Sequence, residues 1–227
     1  MARIFILNPN SSEAVTEAMR QSVALIRDGV RSEVVFGTLA GAPAGIESQA
    51  DVEAVVLPAV ERLAGEAADA HVLGCFSDPG LMLARERIAA PVVGIAEAAY
   101  GEAVSMGMRF GVVSIVKASI GRHRRAIAGL GFSDFLAGDR SLDIGVAGMG
   151  EAGRVLARMD EIGGQLRDLD GAECLILGCA SMGVYREAAQ ERLGLPVIDP
   201  VQAAVLRADR LITLRYPQAG HVHRFMA

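Results

Sequence analysis

The chain has 227 residues, 52% of them hydrophobic, with 26 glycines; that is enough for one large or two small packed α/β domains and too apolar for disorder. A net charge of −5, from 27 acidic and 22 basic residues, argues against a nucleic-acid binder, and 4% aromatics with no Trp leave little for base stacking or an aromatic cage. Three cysteines, an odd number with apolar flanks, point to free thiols in a reducing, cytoplasmic setting, and no apolar run approaches the ~20 residues of a membrane helix.

The chain opens on a strand pattern, Arg3–Leu7, with no targeting segment before it. Asn8-Pro9-Asn10-Ser11-Ser12 is a loop, with Ser11 or Ser12 as N-cap of a helix reaching about Arg27. Glu33–Phe36 is the second strand. Thr38 to Gln49 is rich in Gly, Pro and Ala and long for a connection, so it is either a pocket lid or a plain surface loop. A helix over about Ala50–Ala67 leads into the strand ending at Cys75. A helical stretch, Leu81–Ala89, and a fourth strand, Pro91–Ile95, follow. The pattern then restarts: a strand at Arg109–Ser114, a helix at about Ser119–Ala128, a weak strand near Phe132–Leu136, and a long helix at about Glu151–Leu169. The strand ending at Cys179, a helical stretch Val184–Leu193 and a last strand at Pro196–Ile198 complete it. Apolar runs alternating with helical periods predict an α/β fold with parallel sheets.

The two halves repeat. Leu73-Gly74-Cys75 matches Leu177-Gly178-Cys179 at an offset of 104 residues, and Pro91-Val92 matches Pro196-Val197 with one residue inserted. This predicts a duplicated βα domain rather than a short solenoid repeat. Ligands of open parallel sheets bind beyond the carboxyl ends of the strands. Asn8, Asn10, Ser114 and both cysteines fall at such ends, and two facing domains bring them to one cleft.

Either cysteine alone reads as a small buried hydrophobe; a matched pair reads as two groups facing one pocket. A thiol and a thiolate on opposite faces of a carbon can invert it. The helix after each cysteine favours the thiolate by only a fraction of a pKa unit, so stronger lowering needs loop amides. Ser77 and Ser181, two residues after each cysteine, read equally as helix caps or as donors to substrate carbonyls. Cys174 starts its strand and reads as core. Gly148-Met149-Gly150-Glu151-Ala152-Gly153 has the spacing of a dinucleotide fingerprint but lacks the firm strand before it and the acidic residue after the next. Arg122-His123-Arg124-Arg125 reads as a solvated helix face, with phosphate contact as the other reading. His221-x-His223 lacks a third metal ligand, and no His lies clearly at a strand end where a Cys-His hydrolase needs one.

Several stretches carry a family resemblance: Leu7-Asn8-Pro9-Asn10-Ser11-Ser12, Gly45-Ile46-Glu47-Ser48, Gly74-Cys75-Phe76-Ser77-Asp78-Pro79-Gly80 and Gly178-Cys179-Ala180-Ser181-Met182. Together they resemble the hydantoin racemase branch of the aspartate/glutamate racemase superfamily, nearly end to end. The resemblance implies two pseudo-symmetric, flavodoxin-like or Rossmann-like α/β domains with the active site in the cleft between them. The first comprises residues 1–96 plus 200–227, with the C-terminal helix crossing back onto it; the second comprises residues 97–199. It implies Cys75 and Cys179 as catalytic acid and base, no cofactor, no metal, a small-molecule substrate and a homo-oligomer, with no nucleic acid and no membrane as partners. Asn8, Asn10, Ile46, Phe76, Ser77, Ser114, Ala180 and Ser181 are the expected substrate-binding residues. One departure is Ser181, where the family's second motif usually has Gly.

Amino-acid racemases of the superfamily place polar residues after each cysteine to hold ammonium and carboxylate groups, whereas Phe76 and Ala180 offer apolar walls. These suit a neutral cyclic ureide, a 5-substituted hydantoin or allantoin, whose ring carbonyls acidify the carbon to be inverted. The competing expectations are an aspartate/glutamate-type racemase or a dicarboxylate isomerase or decarboxylase, favoured by a cation in the cleft such as Lys117, and a non-catalytic small-molecule binding protein.

Overall fold

Alternate residues of a strand face opposite ways, and in the first strand both ways are apolar. In the computed structural model, which describes residues 1–216, Ile4 and Ile6 of β1 (Arg3–Asn8) pack into one core and Phe5 and Leu7 into another. A strand buried on both faces belongs to a parallel sheet covered by helices on each side. The first sheet runs β2 (Glu33–Thr38), β1, β3 (Ala70–Leu73), β4 (Val92–Gly94), all parallel. The second repeats this order: β6 (Leu136–Ser141), β5 (Phe110–Ser114), β7 (Cys174–Gly178), β8 (Val197–Ile198).

The helices form three layers around the sheets. Helices α2 (Gln49–Ala64) and α3 (Leu81–Arg87) cover Phe5, Leu7 and Leu73 on the outer face of the first sheet. Helices α6 (Ala152–Asp168) and α7 (Arg186–Leu193) cover Val113, Leu175 and Leu177 on the outer face of the second. Between the sheets lie α1 (Glu13–Ala24), α4 (Ile95–Ser105) and α8 (Pro200–Leu214), in one core with Ile4, Ile6, Val112 and Ile176. The last helix of each half packs on the other half's sheet: α4 against β5 and β7, α8 against β3 and β4. Polar ties reinforce the second crossing, since Asp209 accepts from the Ser32 N–H and hydroxyl at 2.9 and 2.6 Å. Among the described residues no helix is long and apolar enough to cross a membrane.

Several boundaries differ from the sequence reading. Helix α1 stops at Ala24 because the Leu25 and Ile26 amides reach back only three residues, tightening the chain into a 3₁₀ turn at Arg27–Gly29. Helix α2 starts at Gln49, fixed by a Ser48–Asp51 capping box. The weak strand expected near Phe132–Leu136 lies at Leu136–Ser141 instead, after a 3₁₀ turn over Ser133–Phe135. It is an edge strand whose polar Asp139, Arg140 and Ser141 concealed its period. β4 ends at Gly94 because Ile95 opens α4. His221 and His223 lie outside the described residues.

Candidate active site

Cys75 follows the end of β3 and Cys179 the end of β7, both at the carboxyl edges of their sheets. The glycine before each is required by space. A Cβ on Gly74 would lie 2.9 Å from both the Leu7 carbonyl oxygen and the Met19 sulfur; on Gly178 it would lie 2.7 Å from the Val113 carbonyl oxygen. Each central strand thus presses against its neighbour at the residue that presents the thiol.

The loop after each cysteine is bolted to the N-terminus of a crossing helix, with the roles of two residue types exchanged. In the first half Asp78 (φ 42°) sits in the loop and accepts from the Ala96 and Glu97 amides of α4 at 3.1 and 2.8 Å; Gly94 leaves room for it. In the second half Gly183 sits in the loop and leaves room for Asp199, which caps α8 through the Val201 amide at 2.9 Å. Asp199 also accepts from the Ser22 hydroxyl of α1. Burial raises both carboxyls, Asp78 to about 7 and Asp199 to about 6, against the amides that favour their charged forms.

Cys75 and Cys179 line one cavity together with Asn10, Ile46, Phe76 and Ala180. Its volume is about 30 Å³, a tight fit for a five-membered ring in this form. The loop between β2 and α2 lines the cavity through Ile46 and is bonded to the second half. The Glu47 carboxylate accepts from the Val146 amide at 2.7 Å, and the Arg122 guanidinium of α5 (Lys117–Gly129) donates to the Glu47 carbonyl at 3.0 Å. This segment thus forms part of the cavity wall through Ile46.

All three cysteines are free thiols. Burial dominates at both cleft sulfurs and pushes them up, Cys75 to about 12. At Cys75 the Ser77 amide opposes this, Asp78 and Cys179 add to it, and the Arg122 charge opposes it. At Cys179 the Ser181 hydroxyl, 3.3 Å from the sulfur, and the Ser181 and Ala180 amides favour the thiolate, whereas Glu47 opposes it. The helices contribute little, because α3 and α7 begin only at Leu81 and Arg186, beyond a turn. Loop amides reach the sulfurs in their place.

The other expected residues divide. Ile46, Phe76, Ser77, Ala180 and Asn10 line the cavity. Asn8 does not: it is fully buried and braces the following loop through Asn10, Ser12 and Thr16 at 2.9–3.1 Å. Ser114 is also fully buried, bonded to His123 and Asp139. Ser77 and Ser181 are not caps, since neither α3 nor the turn at Gly183–Tyr185 carries a side-chain cap bond. Lys117 is far exposed and pairs with Asp143. Cys174 is core.

The basic run 122–125 is only partly a solvated face. His123 is 2% exposed, packs edge-on to Phe76 at 5.1 Å and lines the cavity. Its Nδ1 lies 3.0 Å from Asp139 Oδ2 and 3.1 Å from Ser114 Oγ. Flanking arginines hid it, but Ser119, His123 and Ile127 form the buried stripe of α5 at four-residue spacing, a legible signal. Glu47 and Arg122 had no such signal, since both act across the halves.

Two like-ordered parallel sheets, meeting at their carboxyl edges over a cleft with one thiol from each, define a two-domain α/β protein of racemase type. The comparisons agree. The model of the Asp/Glu/Hydantoin racemase family matches residues 4–208. The chain is 35% identical to a hydantoin racemase of Rhizobium meliloti over 94% of this chain and 90% of that one. It is 34% identical to one of Paenarthrobacter aurescens, over 94% and 92%. The solved allantoin racemase from Klebsiella pneumoniae superposes with TM-score 0.89 at 28% identity, covering 98% of this chain and 92% of that one. The chain belongs to the Asp/Glu/hydantoin racemase family and is an isomerase of the racemase class.

Proposed function

We propose that the protein racemises 5-substituted hydantoins, or the related ureide allantoin, at C5 by two-base proton transfer between Cys75 and Cys179, without a cofactor. The carrying observation is one free thiol from each pseudo-repeat on a single cavity with apolar Phe76 and Ala180 beside them.

One cysteine, as thiolate, takes the C5 proton; the C–H electron pair delocalises onto the ring carbonyl. The other, as thiol, protonates the opposite face, and the pair ends with its protonation states exchanged. Each sulfur must come within about 3–3.5 Å of the carbon. Burial makes thiolate scarce before substrate binds, but it also makes the thiolate strongly basic once formed, which suits removal of a carbon-bound proton. The Ser181 hydroxyl in place of the usual Gly supplies Cys179 with a donor that steadies its charged form.

A second reading is favoured by Arg122, a cation at the cleft: turnover of aspartate, glutamate or a related dicarboxylate. The test is loss of optical rotation, with deuterium uptake at the chiral carbon, for L- and D-hydantoins, allantoin, aspartate and glutamate. Exchange confined to the cyclic ureides supports the proposal. Exchange only of the free amino acids overturns it.

A further inference from the structure

Beside the catalytic cavity, and sharing Phe76, Ser77 and His123 with it, lies a larger pocket of about 450 Å³. Its polar wall comes from Gln49 at the start of α2 and from Arg122 and Arg125 of α5. Its volume is large enough for the substituent that a ring in the cavity carries at C5.

The charge in this pocket is poorly matched. Arg122 is half-buried, and its hydrogen-bond partners are neutral oxygens: the Ala118 and Glu47 carbonyls and the Ser119 hydroxyl. Its Nε is buried with no partner among the described residues. Among the described residues, Arg125 donates only to the Gln49 side-chain Oε1, at 3.4 Å. Two carboxylates stand near. Asp78 borders the pocket, but its oxygens are taken by the Ala96 and Glu97 amides. Asp51 touches Arg122 through its field, but its oxygen is held by Ser48 and the Glu47 amide. Burial disfavours the Arg122 charge, so an anion arriving there would relieve a cost already present in the fold.

We infer that the pocket beside Phe76, walled by Arg122 and Arg125, selects a 5-substituent ending in a carboxylate. The inference rests on the proposed hydantoin chemistry and narrows its substrate class. The apolar walls at Phe76 and Ala180 take the neutral ring, and the guanidinium of Arg122 takes the acidic arm through a charge-assisted hydrogen bond.

The test compares two substrates of nearly equal shape, 5-(2-carboxyethyl)hydantoin and 5-(2-carbamoylethyl)hydantoin, by racemisation and deuterium uptake at pH 8. The readout is the ratio of their kcat/KM values. A hydrogen bond to a charged partner makes the acid the better substrate by about 10- to 100-fold in the wild type. Arg122→Gln should collapse that ratio toward one, and Arg125→Gln, an exposed position tolerant of change, should lower it in part. A wild-type ratio at or below one overturns the inference while leaving the hydantoin proposal standing, as does a ratio unmoved in both variants. Exchange with neither compound, nor with any other 5-substituted hydantoin, overturns both.

Discussion

Gly178→Ala tests whether the position of Cys179 is set by strand packing. The added Cβ would meet the Val113 carbonyl oxygen at 2.7 Å, Ser114 Cα at 3.1 Å and Val113 C at 3.3 Å, all backbone. No flexible side chain can give way, so β5 and β7 must part by about 0.7 Å to restore an ordinary 3.4 Å contact. The next residue is Cys179, and its sulfur moves by a similar amount. Overpacking of this kind costs about 1–3 kcal/mol of stability. A misplacement near 1 Å at reacting atoms costs up to about 100-fold, so kcat/KM should fall about 10- to 100-fold, or about 1.4–2.7 kcal/mol. The assays are polarimetric racemisation of a hydantoin and urea unfolding. Gly164→Ala in α6, where a Cβ meets nothing within 4 Å, is the control and should keep full activity. A folded Gly178→Ala protein with activity within twofold of wild type would refute the reasoning.

Other expectations follow from the same geometry. Because burial raises both thiols, Cys75 to about 12, the Cys75 thiolate fraction grows about tenfold per pH unit below that value; kcat/KM should climb from pH 7 to 9, and a flat profile there contradicts the burial argument. Ser181→Ala removes the hydroxyl at 3.3 Å from the Cys179 sulfur and should cut kcat/KM by about 10- to 100-fold while carrying the alkaline rise to higher pH, read from the pH–rate profile. Asp199 is raised from 3.8 to about 6, so its protonated form favours the fold. That contribution is complete below about pH 3.8 and lost as pH rises through 6, by at most about 3 kcal/mol. Urea unfolding across pH 4 to 7 should show this decline in the wild type and less of it in Asp199→Asn, which retains a capping oxygen.

Much of this was legible in the sequence because it is written locally. The β-strands buried on both faces announced themselves as apolar runs, and the repeated Leu-Gly-Cys marked both strand ends that carry thiols. What the sequence concealed depends on contacts between halves. Glu47 reads as an ordinary loop acid until Val146, 99 positions away, donates to it. Asp139 lies in a strand too polar to recognise, and its polarity has its reason in His123, on a different element. Asn8 and Ser114 stand at strand ends, as site residues do, yet their side chains turn inward, Asn8 to brace the loop after it and Ser114 to meet His123 and Asp139. Position at a strand end is encoded by the topology, but the direction of the side chain is decided by which partner lies within reach.

The central claim is that two cysteines on opposite faces move the proton. The most direct measurement is deuterium at C5 early in the reaction of a single hydantoin enantiomer in D₂O. Two separate bases predict deuterium in the newly formed enantiomer while the unreacted enantiomer still carries protium, and predict that Cys75→Ser and Cys179→Ser each abolish racemisation. Equal early deuteration of both enantiomers, or a Cys75→Ser protein that racemises at the wild-type rate, would contradict it.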